Sequence, residues 1–309
     1  MQAQRRKFLG EADIHAMAAL VHAFAADHLH VVDLPYRFSS WAFDDPDNVG
    51  LWAGPGGQLL AWAVMQPPFW AIDFAFHPDA DGDLRRKLWA WADRRAREMR
   101  NTSGGLPSWY VNVFADQADR IAELEEAGFA NQADVGEDSW SKVFMARSAE
   151  LPVGDQSVPA GFTIRPLAGE AEVEAYVDLQ RVVFGTKNMT VEWRARTLRR
   201  PEYVPDLDLV AVAPDGHLAA FCICWLGGHA GGAAGGQIEP MGVRPEFTKL
   251  GLGRAILSEG IRRLVKHGAT RIYVETDNYR DAARALYESI GFRVIRDVLV
   301  YRKDYQLPG

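Results

Sequence analysis

Cysteine is nearly absent from this 309-residue chain: only Cys222 and Cys224 occur, with Ile223 between them. The run around them is strand-like, and alternate residues of a strand share a face, so both thiols point the same way. That argues against a disulfide framework, and no second pair exists to build a structural zinc site. Buried, inert thiols and no metal are expected. Long Lys/Arg runs are also missing, and the formal charge is −7, whereas a general nucleic-acid binder shows a basic face. Arg5-Arg6-Lys7 and Arg94-Arg95 are short and read as solvated surface. The start, MQAQRRKFLGEADIH, lacks the apolar core of a signal peptide. The longest apolar runs are too short to cross a bilayer. The expectation is a soluble cytoplasmic protein without nucleic-acid or membrane partners, monomeric or homodimeric.

What is present is a repeat of domain size. The stretch 150–160, rich in Pro, Gly and small polar residues, reads as a linker between residues 1–149 and 161–309. In the second part, strands are predicted at Phe162–Pro166, Leu207–Ala213, Leu218–Trp225, Gln237–Val243 and Arg271–Glu275. Pro214-Asp215-Gly216 supplies a hairpin turn. Helices are predicted at Glu170–Val183, Thr190–Arg199, from Gly253 to His267 and at Asp281–Ile290, with closing strands at Phe292–Ile295 and Val298–Arg302. The first part follows the same order: a helix over Ala12–His28, strands Leu59–Met65 and Trp70–Phe76, and a helix Leu84–Met99. Then come strand Trp109–Phe114, helix Asp119–Ala127 and a strand Ser141–Ala146 that closes it. Two anchors match, Phe76-His77-Pro78 with Val243-Arg244-Pro245 and Ala127-Gly128-Phe129 with Ile290-Gly291-Phe292.

The run from Ile238 to Leu257 carries the chemistry: a strand, a Gly-bearing turn, then a helix start. The first amides of a helix lack intrahelical partners, and the dipole there favours negative charge. Gly251 and Gly253 remove side chains that would hold a phosphate away, and Lys249 and Arg254 add positive charge. A pyrophosphate cradle follows from these features. The third Gly of a dinucleotide fingerprint and the G-K-[ST] of a P-loop are missing, so those two phosphate sites are set aside.

Val243-Arg-Pro245 and Thr248-Lys-Leu-Gly-Leu-Gly253 resemble the acetyl-CoA signature of the GNAT superfamily of N-acetyltransferases, V-x-P followed by [QR]-x-x-G-x-[GA]. Thr248 stands where Gln or Arg is usual. Ala282-Ala-Arg-Ala-Leu-Tyr-Glu-Ser-Ile-Gly-Phe292 is similar to the A-x-x-L-Y-E-x-x-G-F helix of the same superfamily. Arg280 stands where its Asn is expected, and Asn278 lies two residues earlier. The resemblance implies two tandem α/β domains, each a central mixed, mostly antiparallel sheet flanked by helices. It also implies acetyl-CoA as acyl donor, without a metal, and a primary amine as acceptor. Cofactor contacts fall on Met241, Gly242, Val243, Thr248, Lys249, Leu250, Gly251, Leu252, Gly253, Arg254 and Asn278.

Acyl transfer to an amine needs a base for the amine, stabilisation of the oxyanion and an acid for the thiolate. Tyr287 occupies the family's acid position; its alternative is a Tyr that packs against the cofactor. Glu239, on the strand beside the thioester, is the candidate base; it reads equally as a structural carboxylate or an ammonium anchor. On a regular strand Gln237, Glu239 and Met241 share a face. His229, in a Gly-rich loop, is a second base candidate. Pro240 cannot donate to a ladder and marks an edge, bulge or opening. In the first part, three acids (Asp79, Asp81, Asp83) stand where the cradle would be, and Leu124 replaces Tyr287. That part is expected to lack chemistry, its tryptophans Trp62, Trp70, Trp89 and Trp91 serving as core or lining a pocket. The leading expectation is a small-molecule N-acetyltransferase. Alternatives are an acyl-CoA sensing module and an enzyme acting on protein N-termini or lysines.

Overall fold

The structure is a computed structural model that describes residues 3–100, 102, 105–154, 157–228 and 234–305; His229 lies outside the described residues. The first half contains β1 (Gln4–Arg6), α1 (Glu11–Ala23), α2 (Leu34–Phe38), β2 (Val49–Ala53), β3 (Leu59–Gln66) and β4 (Ala71–Phe76). It continues with α3 (Gly82–Met99), β5 (Ser108–Phe114), α4 (Ala118–Glu126), a short β6 (Ala130–Asn131) and β7 (Ser141–Ser148). The second half contains β8 (Thr163–Pro166), α5 (Val173–Phe184), α6 (Val191–Leu198), β9 (Asp208–Val212), β10 (Leu218–Gly228) and β11 (Ala234–Val243). It ends with α7 (Leu252–Lys266), β12 (Arg271–Asp277), α8 (Asp281–Ser289) and β13 (Arg293–Asp304).

All strands join one mixed sheet in the order β1-β2-β3-β4-β5-β13-β7-β12-β11-β10-β9-β8, with β6 paired to β13. The order is a palindrome of the two halves with one alteration: each half's last strand has crossed over. β13 runs antiparallel to β5 of the first half, β7 runs antiparallel to β12 of the second, and the two crossed strands pair with each other. The expectation that Ser141–Ala146 closes the first half and 292–302 the second is therefore corrected. The sequence pattern shows that a strand closes a sheet, not which of two equivalent sheets it closes. The predicted pair Phe292–Ile295 and Val298–Arg302 is one strand with an irregularity between Val294 and Arg296. The edge strand β1 and its neighbour β2 have no counterpart among the expected elements, and α1 ends at Ala23 rather than His28.

The crossed strands also finish helices in their adopted halves. Arg147 of β7 donates from Nε to the Ile290 carbonyl at the end of α8 (2.8 Å). Lys303 of β13 donates to the Ala127 carbonyl at the end of α4 (2.7 Å). These are the two anchor positions that matched in the sequence, and a cation at a helix C-terminus satisfies carbonyls left without partners.

Helices α1, α2, α5 and α6 share one apolar core that joins the halves on one face of the sheet. Tyr36 packs on Trp193 (ring centroids 5.1 Å apart), Trp193 donates to the Tyr36 carbonyl, and Trp41 donates to the Asn188 carbonyl. On the other face α3 and α7 each cover their own half. The apolar stripe read from the sequence was Ile256, Leu257, Ile261, Leu264 and Val265; helix α7 buries the first four, whereas Val265 is exposed. Its Gly260 lies against Cys222 and Cys224, so close that a Cβ would come within 2.8 Å of the Cys224 sulfur. Both thiols are free and buried, with their sulfurs 3.8 Å apart on the α7 face, as expected. Trp62, Trp89 and Trp91 are core residues, whereas Trp70 is exposed. Among the described residues no helix is long and apolar enough to cross a membrane.

Candidate active site

Two places in the sheet open because neighbouring parallel strands part. In the first half β4 and β5 pair only at Ala71 and Tyr110. In the second, β11 and β12 pair from Gly235 to Gln237 and then separate. From Glu239 onward the outer side of β11 therefore has no ladder partner, while its inner side stays paired to β10. The register to β10 slips at this point, with Cys222 opposite Met241 but Cys224 opposite Ile238. Glu239 and Pro240 thus form a bulge, as a proline within a strand requires. The bulge corrects the expected shared face. Gln237 and Glu239 line one cavity, whereas Met241 joins Ile238 and Val243 in the core under α7. An extra residue in one strand reverses the alternation beyond it. Gly242 is tightly enclosed: a Cβ there would sit 2.4 Å from Val183 and 2.9 Å from Phe221.

Val243 leads into a tight turn. Lys249 takes a positive φ of 62° and Gly251 one of 86°, and Gly251 caps α7 with no side chain bonded to its first amides. A Cβ on Gly251 would meet nothing within 4 Å, and one on Gly253 would only touch Val243 at 3.4 Å. The helix start is an open, uncapped end, which suits an anion. Thr248, Lys249 and Leu250 are exposed around it, and Leu252 is buried as the first core residue of α7. Arg254 donates to Ser289 of α8 at 2.5 Å. Asn278 is otherwise engaged: its amide donates to the Ser141 carbonyl, and its side-chain oxygen accepts from the Ser141 amide (3.2 Å). It ties β12 to the crossed strand β7.

Glu239 faces a cavity of about 130 Å³ built from both halves. His30, Asp33 and Arg37 come from the first half, Lys142 from the crossed strand, and Gln237 and Glu275 from the second. Most of their charges are paired. Arg37 holds Asp73 by two hydrogen bonds (2.6 and 2.8 Å), Lys142 holds Glu275 (2.6 Å), and His30 holds Asp33 (2.9 Å). Glu239 has no hydrogen bond or ion pair from its carboxylate to a described residue, although its backbone carbonyl accepts from Trp225 (2.7 Å). Burial, together with the negative charges of Asp33 and Glu275, pushes its pKa up to about 7, against the opposing pull of His30 and Lys142. A carboxyl poised there exchanges protons at neutral pH.

Tyr287 approaches from α8, partly buried beside Met241 and Val243 and edge-on to Phe292. Burial raises its phenol pKa, and the charge of Glu239 raises it further, so it holds its proton at neutral pH. The sequence singled out Glu239 and Tyr287, but not His30, Asp33, Arg37, Lys142 or Glu275. Those five are scattered from residue 30 to residue 275 and meet only because the halves interlock.

An open helix N-terminus beside a parted pair of strands, with a bare carboxyl in the opening, defines a site of the acyltransferase type. Residues 173–292 match the acetyltransferase (GNAT) family. A tandem GNAT protein from the clavulanic acid biosynthesis pathway superposes over the full length of both chains, with a TM-score of 0.68 at 14% identity. A GCN5-related N-acetyltransferase from Sphaerobacter thermophilus gives 0.64 at 21% identity, covering 99% of this chain and 96% of that one. At such identities these likenesses speak for the fold. In sequence the chain is similar to mycothiol acetyltransferases. It is 29% identical to that of Arthrobacter sp. (strain FB24), over 65% of this chain and 62% of the relative. It is 37% identical to that of Kineococcus radiotolerans, over 47% of this chain and 48% of the relative. The matches thus span about half to three-fifths of these relatives' length.

Proposed function

We propose that the second half transfers an acetyl group from acetyl-CoA to the primary amine of a small molecule, and that the first half shapes the acceptor cavity without chemistry of its own. The observation that carries this reading is Glu239, an unpartnered carboxyl with a pKa of about 7 in a cavity beside the open start of α7. The names of the similar mycothiol acetyltransferases agree with a small acceptor.

The residues fit the donor. The uncapped amides of Leu252, Gly253 and Arg254, with Lys249 and the turn from Thr248 through Leu250 to Gly251, would hold its pyrophosphate. The free side of β11 at Met241, Gly242 and Val243 would pair with its pantetheine amides. Asn278, occupied by Ser141, is given no contact. When bound, acetyl-CoA supplies the thioester that is attacked.

Glu239 takes the proton that the acceptor nitrogen must lose, directly or through one water, and the freed lone pair forms the new C–N bond. The C–S bond breaks, and Tyr287 gives its phenolic proton to the departing sulfur. The nitrogen sheds its remaining surplus proton, which restores the Tyr287 phenol through solvent, and Glu239 returns its own proton to solvent, so the net products are amide and thiol.

The test is titration calorimetry of acetyl-CoA into wild type and a Gly251→Asp, Gly253→Asp double variant, followed by thiol release with a panel of small primary amines. One binding site, lost in the folded double variant, and thiol release with at least one amine are expected. Two sites would give the first half a cofactor after all. Binding without thiol release from any amine, peptide or protein would make the protein a sensor, and no binding would end the acetyl-CoA reading.

A further inference from the structure

Asp33 is wholly buried, yet it sits in no apolar core: it lines the acceptor cavity from the loop that precedes α2. Its Oδ2 accepts from His30 Nδ1 (2.9 Å), and its Oδ1 has no hydrogen-bond partner among the described residues. Burial penalises its charge, and the His30 and Arg37 charges outweigh that penalty and hold its pKa below the usual carboxylate value. The cation nearest in sequence, Arg37, is committed to Asp73 by two hydrogen bonds. We propose that Asp33 and His30, both supplied by the first half, form a positioning pair for Glu239 that sets the charge this carboxyl carries when the acceptor arrives.

The charges that face Glu239 come from several elements. Lys142 on β7 is paired with Glu275 on β12, and Arg37 on α2 with Asp73 on β4. Asp277, also on β12, is held by Arg280 and Trp140. Tyr36 on α2, Tyr176 on α5 and Tyr287 on α8 all feel Glu239, and all three phenols are driven further toward their neutral form. In each of the three other ion pairs the cation is Lys or Arg and keeps its charge through the neutral range. The Asp33–His30 pair differs, because imidazole is the side chain that changes charge there. With His30 protonated the pair is neutral overall. With His30 neutral, a bare Asp33 carboxylate faces Glu239, and two carboxylates in one small cavity favour keeping a shared proton. Burial and Arg37 pull the His30 pKa down, Asp33 and Glu275 outweigh them, and the net direction is up. The shift therefore favours the proton-bearing form of His30, in which the pair is neutral overall. The first half, which offers no cofactor cradle, would act in the reaction through this pair.

The inference rests on the assignment of Glu239 as the base, but its test does not. The protein is labelled with ¹³C at the glutamate side-chain carboxyl, and the Glu239 resonance is identified by its loss in Glu239→Gln. Its titration is then followed in wild type, His30→Gln, Asp33→Asn and the double variant, without any ligand. His30→Gln strips the compensating cation and should raise the Glu239 midpoint by about one pH unit. Asp33→Asn alone should lower it or leave it in place, because His30 loses its charge together with its partner. The double variant should bring the midpoint back to wild type or below. This return is the signature, since two merely structural losses would not cancel. An unmoved midpoint in His30→Gln, or shifts of one sign that add in the double variant, would overturn the pair. Should Asp33→Asn fail to fold, His30→Gln alone still decides by the direction of its shift. If the midpoints move as stated while Glu239→Gln leaves thiol release intact, the pair stands and the base assignment falls. If Glu239→Gln abolishes release and the midpoints do not move, the reverse holds.

Discussion

The two helices that follow the matched Pro residues, α3 and α7, show how one framework was put to two uses. At the start of α3 the side chain of Asp81 folds back and accepts from the Leu84 amide at 2.8 Å, filling the place where an anion would bind. At the start of α7, Gly251 leaves that place open. A carboxylate cap stabilises a helix by about 1 kcal/mol, so the first half gains stability at a helix start that the second leaves uncapped. The strands before these helices differ in the same sense. Asp73 on β4 is neutralised by Arg37, whereas Glu239 on the corresponding strand β11 is left without a cation. Leu124 on α4 is fully buried core, whereas its counterpart Tyr287 is only partly buried.

The comparison can be broken at several points. The largest effect is expected for Glu239→Gln, which should lower the rate of thiol release by about 10²–10⁴-fold while the protein stays folded. The carboxylate in the other half should behave differently. Asp73→Asn leaves Arg37 buried without its counter-charge and should cost about 3–5 kcal/mol in a urea unfolding series.

The pH dependence sharpens the contrast, because activity and stability should move in opposite directions. Thiol release should rise with pH around a midpoint near 7 as Glu239 loses its proton. The folded pKa of Glu239 lies above that of an ordinary Glu, 4.5. Its favourable contribution to stability is thus complete below pH 4.5 and is lost as pH rises through about 7. Glu239→Gln should accordingly gain about 1–3 kcal/mol on wild type between pH 5 and pH 8, read from unfolding at the two pH values. The smallest effect belongs to the helix cap: Asp81→Ala should cost about 1 kcal/mol of stability and create no acetyl-CoA binding, measured by calorimetry. New binding there would show that the cap alone had closed the first half.

Local features were legible in the sequence because local rules govern them. The hairpin at Pro214-Asp215-Gly216 forms with Gly216 at a φ of 89° and the Asp215 side chain accepting from the His217 amide. The stripe on α7 as far as Leu264, the same-face cysteines and the irregularity at Pro240 all appear where the residues put them. Met241 shows where local reading stops, since the strand was known to be disturbed at Pro240 but its phase beyond the bulge depends on the pairing with β10. The cavity that Glu239 faces was not legible at all. Asp33 follows no motif, and Lys142 and Glu275 meet diagonally across two strands whose pairing follows from the crossover.

That crossover bears on how such a protein can change over generations. Removing the first half would take β7 with it, leaving β12 with a bare edge and β13 with neither of its long partners. A duplicated gene usually frees one copy to drift or disappear, but here each copy holds a strand that pairs into the other's half of the sheet. The same bond orders events at the ribosome: β5 waits for β13, made after every other strand of the sheet, before its open side is covered. A half that we propose has no chemistry is in this way inherited with the half that has it.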